Sequence, residues 1–219
     1  MKKAYFQIKD QCRQGLLKYL EKAISFIAKN SDYRILDMGC GTSVPSLFIA
    51  DYFNASITAI DTDKPALNFF QDKVNENKLQ HKFSIHEVSF FDYKAKKNSF
   101  DIILAEGFLN VVGFKEGFTK AIEYLKPDGY FIIHDEFKNC EAKAEFIATQ
   151  NCSLIESLYL DESVWWNNYY KCLNAKIEEN INFELRAYFE SDFFEIELYK
   201  KDATEFKSKY FIIRKNDDY

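Results

Sequence analysis

The stretch Arg34-Ile-Leu-Asp-Met-Gly-Cys-Gly-Thr-Ser-Val-Pro-Ser-Leu-Phe-Ile-Ala50 decides the fold. An apolar run of strand length closes on Asp37. Gly39 and Gly41 follow, and Pro45 opens what reads as a helix. Glycine reaches backbone angles closed to other residues and leaves no side chain in a ligand's path. Proline suits a first helical turn, where its missing amide proton costs nothing. A strand, a tight turn and a helix start set exposed amides, a positive helix end and a carboxylate beside one ligand. Such a corner, at the end of a sheet strand, binds a nucleoside-containing cofactor.

Spacing narrows the cofactor. A dinucleotide fingerprint needs a third glycine three places after Gly41. Val44 stands there and leaves a pyrophosphate less room, which argues against a nicotinamide-dependent oxidoreductase. The next segment, Ser56-Ile-Thr-Ala-Ile-Asp61, reads as a second strand ending in an acid. It falls about 20 residues after the turn, where such folds bind ribose hydroxyls. A carboxylate accepts both hydroxyl protons of a ribose. The alternative role for Asp61 is to cap the helix that starts near Lys64-Pro65.

Later segments extend the pattern. Phe83 to Val88 reads as a third strand, Ser89-Phe-Phe-Asp92 as a turn, and Phe100 to Ala105 as a fourth strand. Leu125-Lys-Pro-Asp-Gly129 leads into a fifth that ends at His134. Together with Asp37-x-Gly39-x-Gly41 and Asp61, this order resembles the class I S-adenosylmethionine-dependent methyltransferases over residues 33–135. That family often has a further glycine where Ser43 stands. The resemblance implies an α/β fold with a Rossmann-like seven-stranded sheet, mostly parallel with an antiparallel last strand, and helices on both faces. It implies S-adenosylmethionine as cofactor, bound by Asp37, Gly39, Cys40, Gly41, Asp61, Thr62, Ser89, Phe90, Asp92 and Ala105. Many relatives have an aspartate as adenine acceptor where this chain has Ser89. Either the Ser89 hydroxyl and Phe90 amide serve the adenine, or Asp92 does.

The segment Ala105-Glu-Gly-Phe-Leu-Asn-Val-Val-Gly-Phe114 resembles one found in a small-molecule branch akin to the quinone-biosynthesis methyltransferases. The aromatic cluster of Trp165, Trp166, Tyr169 and Tyr170 resembles the same branch. The resemblance implies methyl transfer to a small aromatic or apolar acceptor. Glu106 is the candidate catalytic residue, drawing a proton from the acceptor or attracting the sulfonium; its alternative role is to tie loop amides together. Trp165, Trp166 and Tyr169 are candidate acceptor-wall residues, with core packing as the alternative. His134 lies near the same site, where packing or capping is the commoner role. A non-catalytic S-adenosylmethionine-binding protein is the second rival, because methyl transfer has no obligatory catalytic side chain.

Composition sets the bounds. A chain of 219 residues is long enough for one domain with a substantial core. Net charge is −5 with no basic cluster among aromatics, so nucleic acid is not the expected partner. No apolar run reaches membrane-spanning length, and the first residues lack a signal-peptide core, so a cytoplasmic place is expected. Five cysteines without a Cys-x-x-Cys pair read as reduced thiols, and three histidines show no metal-ligand spacing.

Along the chain, residues 5–29 read as one or two helices that cover one edge of the sheet; the methyltransferase resemblance implies instead a helical lid over residues 1–30. Leu16, Leu17, Leu20, Ile24 and Ile27 form its apolar stripe, with Tyr5 and Phe6 at its closing edge. Residues 33–135 form the cofactor-binding core. Helices are expected over 44–53, 64–77, 115–125 and 138–149, and a helical insertion over about 161–206. Ser153–Tyr159 reads as strand six and Tyr210–Arg214 as the last strand. A competing register makes Phe193–Tyr199 strand six, paired with 208–214 as a hairpin.

Overall fold

A computed structural model describes residues 1–30, 32–180 and 183–217. Seven strands form one sheet: β1 (Arg34–Met38), β2 (Ser56–Asp61), β3 (Phe83–Glu87), β4 (Phe100–Glu106), β5 (Leu125–Glu136), β6 (Cys152–Leu160) and β7 (Ser208–Lys215). Their order is β3-β2-β1-β4-β5-β7-β6. The pairs from β3 through β5 are parallel, and β7 runs antiparallel to both β5 and β6. The sheet expected from the sequence is the sheet observed.

Side chains alternate across a strand, so a sheet covered on both faces needs apolar residues at nearly every position. Ile35, Ile102, Leu104, Ile132 and Ile212 enter the core of one face. Their neighbours Leu36, Ile103, Ala105, Phe131, Ile133, Phe211 and Ile213 enter the other. Helix α2 (Leu17–Ile24), α3 (Val44–Tyr52) and α4 (Lys64–Glu76) pack on the first face. Helices α5 (Leu109–Val112), α6 (Phe114–Tyr124) and α7 (Cys140–Ala148) pack on the second. Buried Lys215 ends α6 by donating to the carbonyls of Ile122 and Leu125. Asp63, not Asp61, caps α4, accepting from the Ala66 amide at 3.1 Å.

Between β6 and β7 lie α8 (Glu162–Trp165), a π-helical turn (Trp166–Tyr170), α9 (Lys171–Asn180), α10 (Phe183–Arg186) and α11 (Glu190–Lys201). The competing register is overturned, because Phe193–Tyr199 lies within α11. Helical spacing puts Phe193, Ile196 and Tyr199 into a third core with Phe189 and leaves Phe194 and Leu198 exposed.

The first helix, α1 (Lys2–Arg13), bridges the glycine turn and this helical segment. Asp10 on α1 accepts from Thr42 Oγ1 and pairs with Lys73 of α4 at 2.6 Å. Lys9 pairs with buried Asp192 of α11 at 2.8 Å. Phe6 stacks on Phe69, and Tyr5 sets its ring edge-on against Phe189. Just beyond α1, a Cβ at Gly15 would lie 2.2 Å from the Asn168 carbonyl oxygen, so only glycine permits this approach to the π-helical turn. The expectation of uniformly reduced thiols is corrected here. Cys12 of α1 and Cys172 of α9 form a disulfide, while Cys40, Cys140 and Cys152 are free. The two Cα atoms stand 5.5 Å apart, within disulfide reach, although 160 residues separate them in sequence.

Ser43 occupies the left-handed region at φ 73°, and its buried hydroxyl has no hydrogen-bond partner. A non-glycine residue there carries a cost of about 1–2 kcal/mol. Replacing Ser43 by glycine removes that strain and an unpaired polar atom, against a smaller loss from the freer unfolded chain. Urea unfolding of Ser43→Gly is expected to show a gain of about 1 kcal/mol.

Candidate active site

The carboxyl ends of β1, β2, β4 and β5 converge on one edge of the sheet, where ligands of such folds bind. At the end of β1, Asp37 is buried and accepts a short hydrogen bond from Ser46 Oγ. Burial pushes its carboxyl up to about 7, nearby Glu106 and Asp61 add to the rise, and the Ser46 bond opposes it.

The glycine turn is left-handed at Gly39 (φ 71°) and Gly41 (φ 51°). Its amides are already committed. Gly39 and Cys40 donate to the Ile60 carbonyl at 2.9 and 3.1 Å, and Gly41 donates to Asp61 Oδ2 at 2.7 Å. The free amides expected of this corner are thus spent on the β1–β2 connection. A phosphate cradle needs those donors, so a dinucleotide is disfavoured. A cofactor with cationic groups, a ribose and no phosphate suits the corner better. Asp61 also takes the Asp63 amide at 2.8 Å on Oδ1, and each of its oxygens keeps a lone pair for a diol.

The remaining expected contacts surround this crevice. Thr62 is exposed beside Asp61, and Ala105 is buried at the end of β4. Ser89 Oγ accepts from the Phe91 amide at 3.2 Å, which uses its hydroxyl within the turn. Phe90 is buried, Asp92 is exposed, and Lys120 donates to the carbonyls of Phe90 and Phe91. Phe108, absent from the sequence reading, packs edge-on against Phe90 with centroids 5.7 Å apart. A Cβ at Gly39 would meet its ring at 2.3 Å. Phe108 therefore spans the crevice between the glycine turn and the Ser89–Asp92 turn.

A cavity of about 410 Å³ opens next to this corner, with Glu106, His134, Trp165, Tyr169 and Ser208 among its lining residues. Glu106 Oε1 accepts from the Tyr210 hydroxyl at 2.6 Å, and Oε2 lies 3.2 Å from His134 Nδ1. His134 Nε2 lies 2.9 Å from Ser208 Oγ, which accepts from Trp165 Nε1 at 3.2 Å. Indole N–H only donates, so the chain has one consistent direction. Trp165 donates to Ser208, Ser208 to His134 Nε2, and His134 Nδ1–H to Glu106. The imidazole is stacked between Tyr210 at 4.1 Å and Trp165 at 5.8 Å. Burial raises the Glu106 carboxyl, but the electrostatic influence of His134 and the bonds from His134 and Tyr210 outweigh it and hold it below its ordinary value. Burial likewise raises the Tyr210 phenol, so it stays a donor.

Trp165 and Tyr169, two of the candidate acceptor-wall residues, line the cavity, and Tyr170 joins them. Trp166 turns away and stacks on Tyr199 at 5.4 Å. Ser208 and Tyr210 escaped the sequence reading, because the beginning of a last strand carries no motif. Their one signal is the antiparallel sense of that strand, which brings its start to the carboxyl edge.

A family model described as a methyltransferase domain matches residues 29–177. The chain belongs to this family. It is a class I S-adenosylmethionine-dependent methyltransferase domain, as the sequence motifs indicate. It is 31% identical over 144 residues to the ribosomal protein L11 methyltransferase of Ruminiclostridium cellulolyticum, covering 64% of this chain and 44% of the relative. It is 22% identical over 206 residues to phosphoethanolamine N-methyltransferase of Plasmodium falciparum, covering 84% of this chain and 76% of the relative. The chain spans about half or less of the length of the first curated relatives it matches. Among solved structures, a cyclopropane synthase of Mycobacterium tuberculosis has the same fold (TM-score 0.74, 14% identity, 91% of this chain and 84% of that one). So does the Haemonchus contortus phosphoethanolamine N-methyltransferase 2 in complex with S-adenosyl-L-methionine (TM-score 0.70, 15% identity, 92% and 52%).

Asp37 yields a pH prediction. The folded protein keeps a proton on Asp37 that the unfolded chain releases near pH 4, so the ligand-free fold loses stability as pH rises from about 4 to about 7. Asp37→Asn should therefore stabilise the protein more at pH 8 than at pH 5. A bound cationic cofactor favours the carboxylate, so S-adenosylmethionine affinity should rise with pH up to about 7, by at most about tenfold per unit. Calorimetric titrations across this range check it, and the same slope in Asp37→Asn would exclude the residue.

Proposed function

We propose that this protein transfers a methyl group from S-adenosylmethionine to a small-molecule acceptor held in the cavity between the sheet edge and the helices that precede β7. The observation that carries this reading is the Trp165–Ser208–His134–Glu106 chain, which ends against the cofactor corner and faces a cavity of small-molecule size. When bound, S-adenosylmethionine supplies an electrophilic methyl group on a positively charged sulfur.

Asp37, the glycine turn and Asp61 are the groups that hold the cofactor's amino-acid and ribose ends. Ser89, Phe90, Phe108 and Asp92 surround its adenine. His134 is the proton acceptor for the nucleophile, through Nε2 once the Ser208 hydroxyl turns aside. Glu106 keeps His134 in the Nδ1–H tautomer and balances the charge His134 gains. Tyr210 holds Glu106 in place, and Trp165 with Tyr169 walls the acceptor away from water. The aromatic wall fits the aromatic or apolar acceptor expected from the sequence, but charged groups interrupt it.

Two measurements test the reading. Glu106→Gln keeps the shape and removes the charge. It should lower kcat by about 100-fold or more, in the range for a lost general acid–base device, with S-adenosylhomocysteine affinity within about threefold. Wild-type turnover by Glu106→Gln and by His134→Gln would end the proposal. Asp61→Ala should weaken S-adenosylhomocysteine at least tenfold, since a charge-assisted hydrogen bond contributes about 1.5–3 kcal/mol. Undiminished affinity would mean that the ribose is held elsewhere.

A further inference from the structure

Arg13 ends α1, and its side chain enters the wall of the same cavity, half-buried, alongside Glu106, Trp165, Tyr169 and Glu195. The other two cations of that wall have carboxylate neighbours. Lys9 is held by Asp192 at 2.8 Å, and Lys207 approaches Glu162 at 3.9 Å. The Arg13 guanidinium makes no ion pair or side-chain hydrogen bond with any other described residue. It nevertheless lies near the chemistry. Burial is the largest single influence on Asp37, Glu106, Tyr169 and Tyr210, outweighed only at Glu106 by its hydrogen-bond partners, and all four also feel the charge of Arg13. A guanidinium carries five donors in a planar fork that matches carboxylate and phosphate oxygens. Left unpaired in a cavity wall, that fork is a ready anion site.

The rest of the wall has the opposite character. Glu106, Asp135, Glu136, Glu195 and Glu205 are its acids, of which Asp135 is paired with Lys143 at 2.9 Å, and Trp165 and Tyr169 contribute ring faces that favour an ammonium group. A purely apolar acceptor would strand these charges. A purely anionic one would meet the acids of the wall.

We infer that the acceptor is a small amphoteric amine, with an oxyanion group (a carboxylate or a phosphate monoester) gripped by Arg13 and its nitrogen facing Glu106 and His134. The inference rests on the methyl-transfer reading. The acceptor arrives as an ammonium ion and gives one proton to His134. Its nitrogen lone pair then forms the new N–CH3 bond as the C–S bond breaks. The bonding pair stays on sulfur, which becomes a neutral thioether. Arg13 fixes the oxyanion end, so it is a specificity residue and takes no part in the bond exchange.

The test uses the whole chain, S-adenosylmethionine and paired probes: glycine and β-alanine against glycinamide, and O-phosphoethanolamine against ethanolamine. S-adenosylhomocysteine release is the readout, with calorimetric S-adenosylhomocysteine binding in parallel. The wild type should favour at least one acidic amine over its neutral partner by tenfold or more in kcat/KM. The preferred pair tells carboxylate from phosphate. Arg13→Gln should abolish that preference through KM, Arg13→Lys should restore part of it, and both should bind S-adenosylhomocysteine within threefold of wild type. Equal use of acidic and neutral amines, turnover of none of the acidic amines, or an Arg13→Gln variant with unchanged preference would each overturn the inference. A tenfold loss of S-adenosylhomocysteine affinity in Arg13→Gln would overturn it too, assigning the guanidinium to the cofactor's own carboxylate. Failure of wild-type protein to bind S-adenosylhomocysteine would instead overturn the methyl-transfer reading beneath it.

Discussion

The carboxylate of Glu106 joins three strands, and the geometry of the active edge depends on it. It stands at the end of β4, takes the Tyr210 hydroxyl from β7 and faces the His134 imidazole at the end of β5. A buried carboxylate is costly unless its lone pairs are satisfied. Here two donors meet it, and Ser208 with Trp165 completes the chain outward to the helical segment. Removing Glu106, His134, Ser208 or Tyr210 would leave a buried polar atom without a partner. The network thus fixes the β4–β5–β7 edge and also presents a directed row of donors and acceptors to the cavity.

The glycine turn shows the complementary economy. Its amides close onto Ile60 and Asp61, tying β1 to β2, and are not offered to a ligand. A turn of this composition in a dinucleotide-binding protein leaves amides free for phosphates. Here the corner offers carboxylates at two levels, Asp37 and Asp61, which favours a ligand with cationic and hydroxyl groups. The sequence already hinted at this through Val44. The hydrogen bonds supply the physical reason.

The helices over the sheet edge are held by several independent ties. The Asp10–Lys73 and Lys9–Asp192 pairs, the Cys12–Cys172 disulfide and the close approach at Gly15 all attach α1 to its surroundings. Ion pairs exposed to solvent contribute little, but Asp192 and Asp10 are buried, so breaking either pair would strand a charge. This fixes the part of the cavity wall that carries Arg13 and Leu16 against the part that carries Trp165 and Tyr169.

Much of the fold was legible in the order of residues. Near-continuous apolar runs ending in Asp37, Asp61 and Ala105–Glu106, with Gly39, Gly41 and Pro65 at the turns, determine a parallel sheet with helices on both faces, because such strands are soluble only when covered twice. Glu106 was legible too, as an acid placed where strand four ends. Sequence alone did not decide the register of the last strands, since Phe193, Ile196 and Tyr199 suit helix or strand equally until a core is present to bury one face. Nor did it reveal the Cys12–Cys172 bond, the ring of Phe108 across the crevice, the bonding of Ser208 and Tyr210 to His134 and Glu106, or the place of Arg13 in the same cavity wall. These contacts join positions tens to more than a hundred residues apart. No local propensity encodes such distances; they exist only once the antiparallel return of β7 and the packing of α1 have brought the chain ends to the same edge of the sheet.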